Sequence, residues 1–153
     1  MIIQLSDQFI TINKHHFNSL SEIPIEIRDP KILSDLFLLF NGYGSKREQM
    51  FRELIQAKRY KNSEIYYVYF MLLISDYVIE IVELVNKLLD VQDLKTIKAI
   101  FEINPDFYKF VGDRAVSYWN QFYRKSNGCE QNKYYKNYND YPAKIFFDKL
   151  IEL

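Results

Sequence analysis

The sequence predicts an all-α, single-domain bundle of about six helices behind a loop-rich N-terminal arm with room for short strands. Three observations lead there. From Pro30 onward, apolar residues recur at spacings of three and four, the period of a helix face. Three of the four prolines stand where a helix would begin, at Pro30, Pro105 and Pro142. The links between the periodic segments are short, so neighbouring helices should pack antiparallel. At 153 residues and 48% hydrophobic content the chain can build one core. The arm should occupy residues 1–28 and the bundle residues 29–153.

Within the arm, FITIN and EIPIEI each alternate at period two and could be extended, with Pro24 confining the second to an edge or coil. The first helix is expected from Pro30 to Phe40, capped by Asp29 and stopped at Asn41-Gly42. Ser45 and Glu48 have the spacing of a capping box and should open a second helix, to about Arg59. Met50, Phe51, Leu54 and Ile55 make its apolar stripe. Asn62 or Ser63 should cap a third, long and central helix that runs to Asp90. Leu94, Ile97, Ile100 and Phe101 mark a fourth over 91–103. A fifth should run from Pro105 to Lys125, with Phe107, Val111, Ala115, Tyr118, Trp119 and Phe122 on its buried face. A polar loop follows, with a helical turn at Lys133 to Tyr138. Pro142 opens the last helix, which should turn Ile145, Phe146, Lys149 and Leu150 to one side.

Composition narrows the function. Lys plus Arg equals Asp plus Glu at 20 each, whereas a general nucleic-acid binder carries a basic excess. The 13 Tyr and 12 Phe, with frequent Lys, Asn and Ile, are the bias of AT-rich coding. One cysteine, Cys129, excludes an intrachain disulfide and fits a reducing compartment. The first residues carry no basic segment or small-residue cleavage site, so no signal peptide is expected. The most apolar run, Ile65 to Ile74, is far shorter than the roughly 20 residues needed to span a bilayer. A soluble, cytoplasmic protein is expected, with no membrane partner.

Catalytic signatures are missing. NGYGSK lacks the spacing and the preceding strand of a phosphate-binding loop. No Cys-His cluster has zinc-ligand spacing. The two histidines, His15 and His16, are adjacent, and on extended backbone they point to opposite faces. An enzyme would need one of them, or a carboxylate cluster, in a deep pocket. No catalytic residue, metal, cofactor or small-molecule substrate is therefore expected. The charged feature that stands out is Asp76, Glu80 and Glu83, at i, i+4 and i+7 of the third helix, with Asp90 two turns further on. A di-metal bundle would pair such carboxylates with Glu-x-x-His motifs, which the predicted helices lack. The stripe suits docking of a basic partner instead, because opposite charge steers encounter and gives specificity.

The stretch VSYWNQFYRKS, followed by YYKNYNDYPAKIFF, interleaves aromatic and basic residues. An RNA-binding or regulatory module would use Arg114, Tyr118, Tyr123, Arg124, Lys133 and Tyr135, stacking bases on the rings. At helical spacing the same aromatics serve as core, and the neutral charge argues against nucleic acid as a partner.

IFEINPDFYKFVGDRA, then VSYWNQFYR, a polar loop and DYPAKIFFDKL together resemble a family of all-helical immunity proteins of contact-dependent growth inhibition systems. The resemblance spans residues 97 to 153. It implies a non-enzymatic protein that binds one cognate toxin C-terminal domain and neutralises it by covering its active site. Toxins of such systems include ribonucleases, whose active sites attract phosphate and are basic. The acidic candidates Asp76, Glu80 and Glu83 lie outside the resembling region.

Overall fold

The computed structural model describes residues 1–12, 26–41, 44–125 and 134–153, with only the backbone at Asn41 and Gly44. His15, His16, Pro24, Cys129 and Lys133 lie outside the described residues. The chain opens with a hairpin, β1 (Ile2–Gln4) and β2 (Phe9–Thr11), in which Ile3 faces Ile10. Seven α-helices follow among the described residues: α1 (Pro30–Asn41), α2 (Gly44–Ala57), α3 (Glu64–Ile74), α4 (Ile79–Leu88), α5 (Val91–Ile103), α6 (Pro105–Tyr118) and α7 (Pro142–Glu152). Short 3₁₀ turns stand at Arg59–Asn62 and Tyr138–Asp140, and a π-helical turn at Trp119–Tyr123 extends α6.

The predicted helical class holds, and so do most starts. Asp29 Oδ1 accepts from the amides of Lys31 and Ile32, at 2.8 and 3.3 Å. The Ser63 side chain caps α3 by accepting from the Ile65 amide. Asp90 caps α5 in a reciprocal box with Asp93. Ser45 does not cap α2, which already begins at Gly44, and Glu48 pairs with Arg52 one turn on. On α7 the buried side is Ala143, Phe146, Phe147 and Leu150, while Ile145 is turned outward. The helical turn expected at Lys133 to Tyr138 is a 3₁₀ turn at Tyr138–Asp140.

The long third helix is the main correction: it is two helices, broken at Ser75–Val78. Side chains that bond to nearby backbone end it. Ser75 Oγ donates to the carbonyls of Leu72 and Met71, and Asp76 Oδ1 accepts from the Val78 amide at 2.9 Å. What remains, α3, is buried on every side from Ile65 to Ile74 and forms the axis of the core. Helices α1, α4, α5 and α6 pack against it.

The short extended segment expected at FITIN is present as β2, paired with β1. Ile3, Leu5, Ile10 and Ile12 are buried against the bundle. Asn104, between α5 and α6, acts as a third edge for the hairpin. Its Oδ1 accepts from the Gln4 amide and its Nδ2 donates to the Gln4 carbonyl, both at 2.8 Å.

Buried carboxylates organise the core. Asp93 is 1% exposed and accepts from the hydroxyls of Tyr60 and Tyr67, at 2.9 and 3.0 Å. Asp35 accepts from Tyr66 at 2.7 Å. Burial first, then the carboxylate partner, raises the pKa of all three phenols well above their ordinary value of 10.0. A proton held more tightly in the folded state gives stability that is full below the unfolded pKa and lost as pH rises past it. Stability should therefore fall steeply above about pH 10. Phenolate absorbance should then appear in the same cooperative step as loss of helical circular dichroism. Phenolate forming gradually before that step would show the rings to be accessible.

Candidate protein-binding surface

The helix break has a second effect, on the acidic stripe. Asp76 is no longer on a helix face: it is 4% exposed and forms a buried ion pair with Arg47, whose Nη2 lies 2.5 Å from its Oδ2. The Arg47 Nε also donates to the Leu39 carbonyl at 2.7 Å. Asp76 is thus a core residue and unsuited to docking. Asp90 stands beyond the far end of α4, where it caps α5 and meets Lys61 Nζ at 2.9 Å. Hydrogen bonds from the Asp93 amide and then Lys61 hold its carboxyl below the usual range. Glu80 and Glu83 remain together on α4. Glu80 is exposed, and Glu83 accepts from the Tyr135 hydroxyl at 2.7 Å.

That hydrogen bond joins the acidic pair to the aromatic segment. The π-turn, closed by the Arg124 amide on the Trp119 carbonyl at 2.8 Å, inserts one residue into the helix register. Phe122 consequently leaves the apolar stripe on which sequence spacing placed it, and is 40% exposed. Residues 134–141 run back across this turn. The Tyr135 amide donates to the Tyr123 carbonyl at 2.9 Å, and Trp119 Nε1 donates to the Tyr135 carbonyl at 2.7 Å. Tyr123 and Tyr138 stack on the buried Tyr141. The Tyr123 hydroxyl donates to the Tyr77 carbonyl and accepts from the Ile79 amide, which fixes the break between α3 and α4 from outside.

A continuous outer surface results. Tyr77, 45% exposed, lies 6.2 Å from the ring of Tyr118, which stacks on Phe122 at 6.0 Å. Phe122 meets Tyr123, and Tyr135 connects onward to Glu83. Burial first, then the nearby carboxylates, raises the pKa of Tyr123 and Tyr135. Glu83 meets this surface through Tyr135, and Glu80 stands one turn before it on α4, three residues after Tyr77. Half-exposed aromatics held rigidly from beneath, with charge at the rim, have the make-up of a protein-docking patch.

The same geometry works against a base-stacking platform. Arg114 is packed between Phe110 and Tyr118 and donates to the Ser75 carbonyl at 3.3 Å. Its pKa is lowered by burial. Arg124 lies over Trp119 and bonds to Asn120. Both hydroxyls of Tyr123 and Tyr135 are engaged within the protein, and the adjacent carboxylates would repel phosphate.

Trp119 is half-buried rather than fully buried. Trp119→Ala removes its contacts with Tyr138 and Arg124 and its hydrogen bond to the Tyr135 carbonyl in the strap formed by residues 134–141. The expected loss is about 2 kcal/mol, below the ~3–5 kcal/mol of a fully buried aromatic. Urea denaturation would measure it, and an unchanged midpoint would show that the strap does not depend on the indole.

Sequence spacing did not single out Tyr77. Tyr77 lay hidden inside the predicted long helix, and the Ser75-Asp76 pair was the signal for the break that exposes it. Among the described residues, no cluster of three metal-ligating side chains occurs and no helix is long and apolar enough to cross a membrane. Comparison with protein-family models, curated protein sequences and solved structures finds no match for this chain.

Proposed function

We propose that the protein is a non-enzymatic immunity protein that binds one toxin domain of a contact-dependent growth inhibition system and covers its active site. The observation that carries this reading is the rigid aromatic surface of Tyr77, Tyr118 and Phe122, bordered by Glu80 and Glu83. Its rings supply apolar area that a protein partner would desolvate, and its carboxylates favour a basic one, such as a nuclease active site. Tyr118 and Phe122 fall within residues 97 to 153, where the sequence resembles the immunity family, while Tyr77, Glu80 and Glu83 lie outside that stretch.

The test is a calorimetric titration with the toxin domain that this reading expects to be encoded directly upstream, and a parallel titration with mixed RNA. A one-to-one complex whose association slows with added salt, with no RNA affinity, is the expected result. RNA affinity that falls steeply with salt, with no toxin complex, would overturn the proposal in favour of an RNA-binding module.

A further inference from the structure

We infer that two copies of this chain pair through the outer groove between α6 and α7. The groove, of about 350 Å³, lies between Tyr108, Gly112 and Val116 of α6 and Lys144, Asp148 and Ile151 of α7. Gly112 is the first sign of a visitor. Glycine inside a helix is destabilising relative to alanine. Here a Cβ would meet nothing within 4 Å, so packing within the chain does not call for the missing side chain. What its absence provides is a deeper groove floor, open to close approach from outside.

Charge selects the occupant. Lys144 and Asp148 pair one turn apart on α7, and Lys109 and Asp113 do the same on α6. A stripe that reads positive then negative becomes its own complement when turned end for end. A two-fold axis near Phe147 and Gly112 would set Lys144 of each copy against Asp148 of the other, as an isologous interface requires. Ile151, 70% exposed, and Val116, 37% exposed, both line the groove and supply apolar area that a second copy would cover. The zero net charge leaves no overall repulsion between copies. By helical spacing Arg114 and Tyr118 fall on the other flank of α6, so pairing leaves the aromatic surface open. The inference does not depend on the toxin reading.

Sedimentation equilibrium of the full chain across the micromolar range tests it. The mass should approach twice that of one chain. Lys144→Glu alone and Asp148→Lys alone should each stay monomeric, because like charges then face each other across the axis. An equimolar mixture of the two variants should regain the doubled mass, although neither chain keeps its own Lys144–Asp148 pair. Gly112→Trp should be monomeric with an unchanged circular dichroism spectrum. A wild-type protein monomeric at every concentration would overturn the inference. So would a doubled mass that survives either reversal, or a mixture that remains monomeric.

Discussion

Asp76→Ala should lower the unfolding free energy by about 3 to 5 kcal/mol, a large part of the total stability of a domain of this size. The cost arises less from the lost attraction than from what is left behind. Arg47 has little access to water and would keep its charge inside the core, left with the Leu39 carbonyl at its Nε and the Phe40 ring beside its guanidinium among the described residues. The Val78 amide would lose its acceptor as well, loosening the break between α3 and α4. A double variant, Asp76→Ala with Arg47→Met, should be less destabilised than Asp76→Ala alone, since no uncompensated charge remains. Urea denaturation of both variants checks this. A single variant within about 1 kcal/mol of wild type would mean that water already reaches the pair.

On the proposed toxin-binding function, Tyr77→Ala and Glu80→Lys together should raise the dissociation constant of the complex about a hundredfold, or ~2.7 kcal/mol, with the fold unchanged. The two changes should act on different rates. Tyr77 offers a ring for the partner to cover, so its truncation should speed dissociation. Glu80 is a rim charge, so its reversal should slow association and invert the salt dependence. Folding is spared because the bond from Tyr123 uses the Tyr77 carbonyl, which alanine retains, and because Glu80 is exposed. Glu83→Lys would be a poorer probe, since it also removes the acceptor for Tyr135. Calorimetry with the toxin domain, and protection of cells producing it, provide the readouts. Full protection by the double variant would place the interface elsewhere.

The helical class and most helix starts were legible in the sequence because they rest on local chemistry. Asp29, Ser63 and the prolines act within a few residues of themselves. The break at Ser75 was not legible by periodicity, because α3 is apolar all round and has no polar face whose interruption could mark an end. Its stop signal is a short polar pair whose carboxylate is committed to Arg47, 29 residues away in sequence. The candidate site suffered from the same error. A continuous helix would have aligned Asp76 with Glu80 and Glu83, whereas the break buries the first and exposes Tyr77 beside the others. The strap from Tyr134 to Tyr141 meets α4 through Tyr135 and Glu83, 52 residues apart. Local spacing carries no information about such a contact, and helical spacing could not foresee the extra residue that the π-turn inserts.

The Asn104 clamp also has a consequence for the order in which the molecule assembles. Its two hydrogen bonds to Gln4 span 100 residues of chain. Neither can exist until Asn104 has emerged from the ribosome. At about 5 to 20 residues per second, the hairpin is therefore made some 5 to 20 s before its clamp exists. An isolated two-stranded hairpin is at best marginally stable in water. A segment synthesised 100 residues ahead of its clamp is thus among the last to be fixed, and its apolar face depends in the meantime on transient cover.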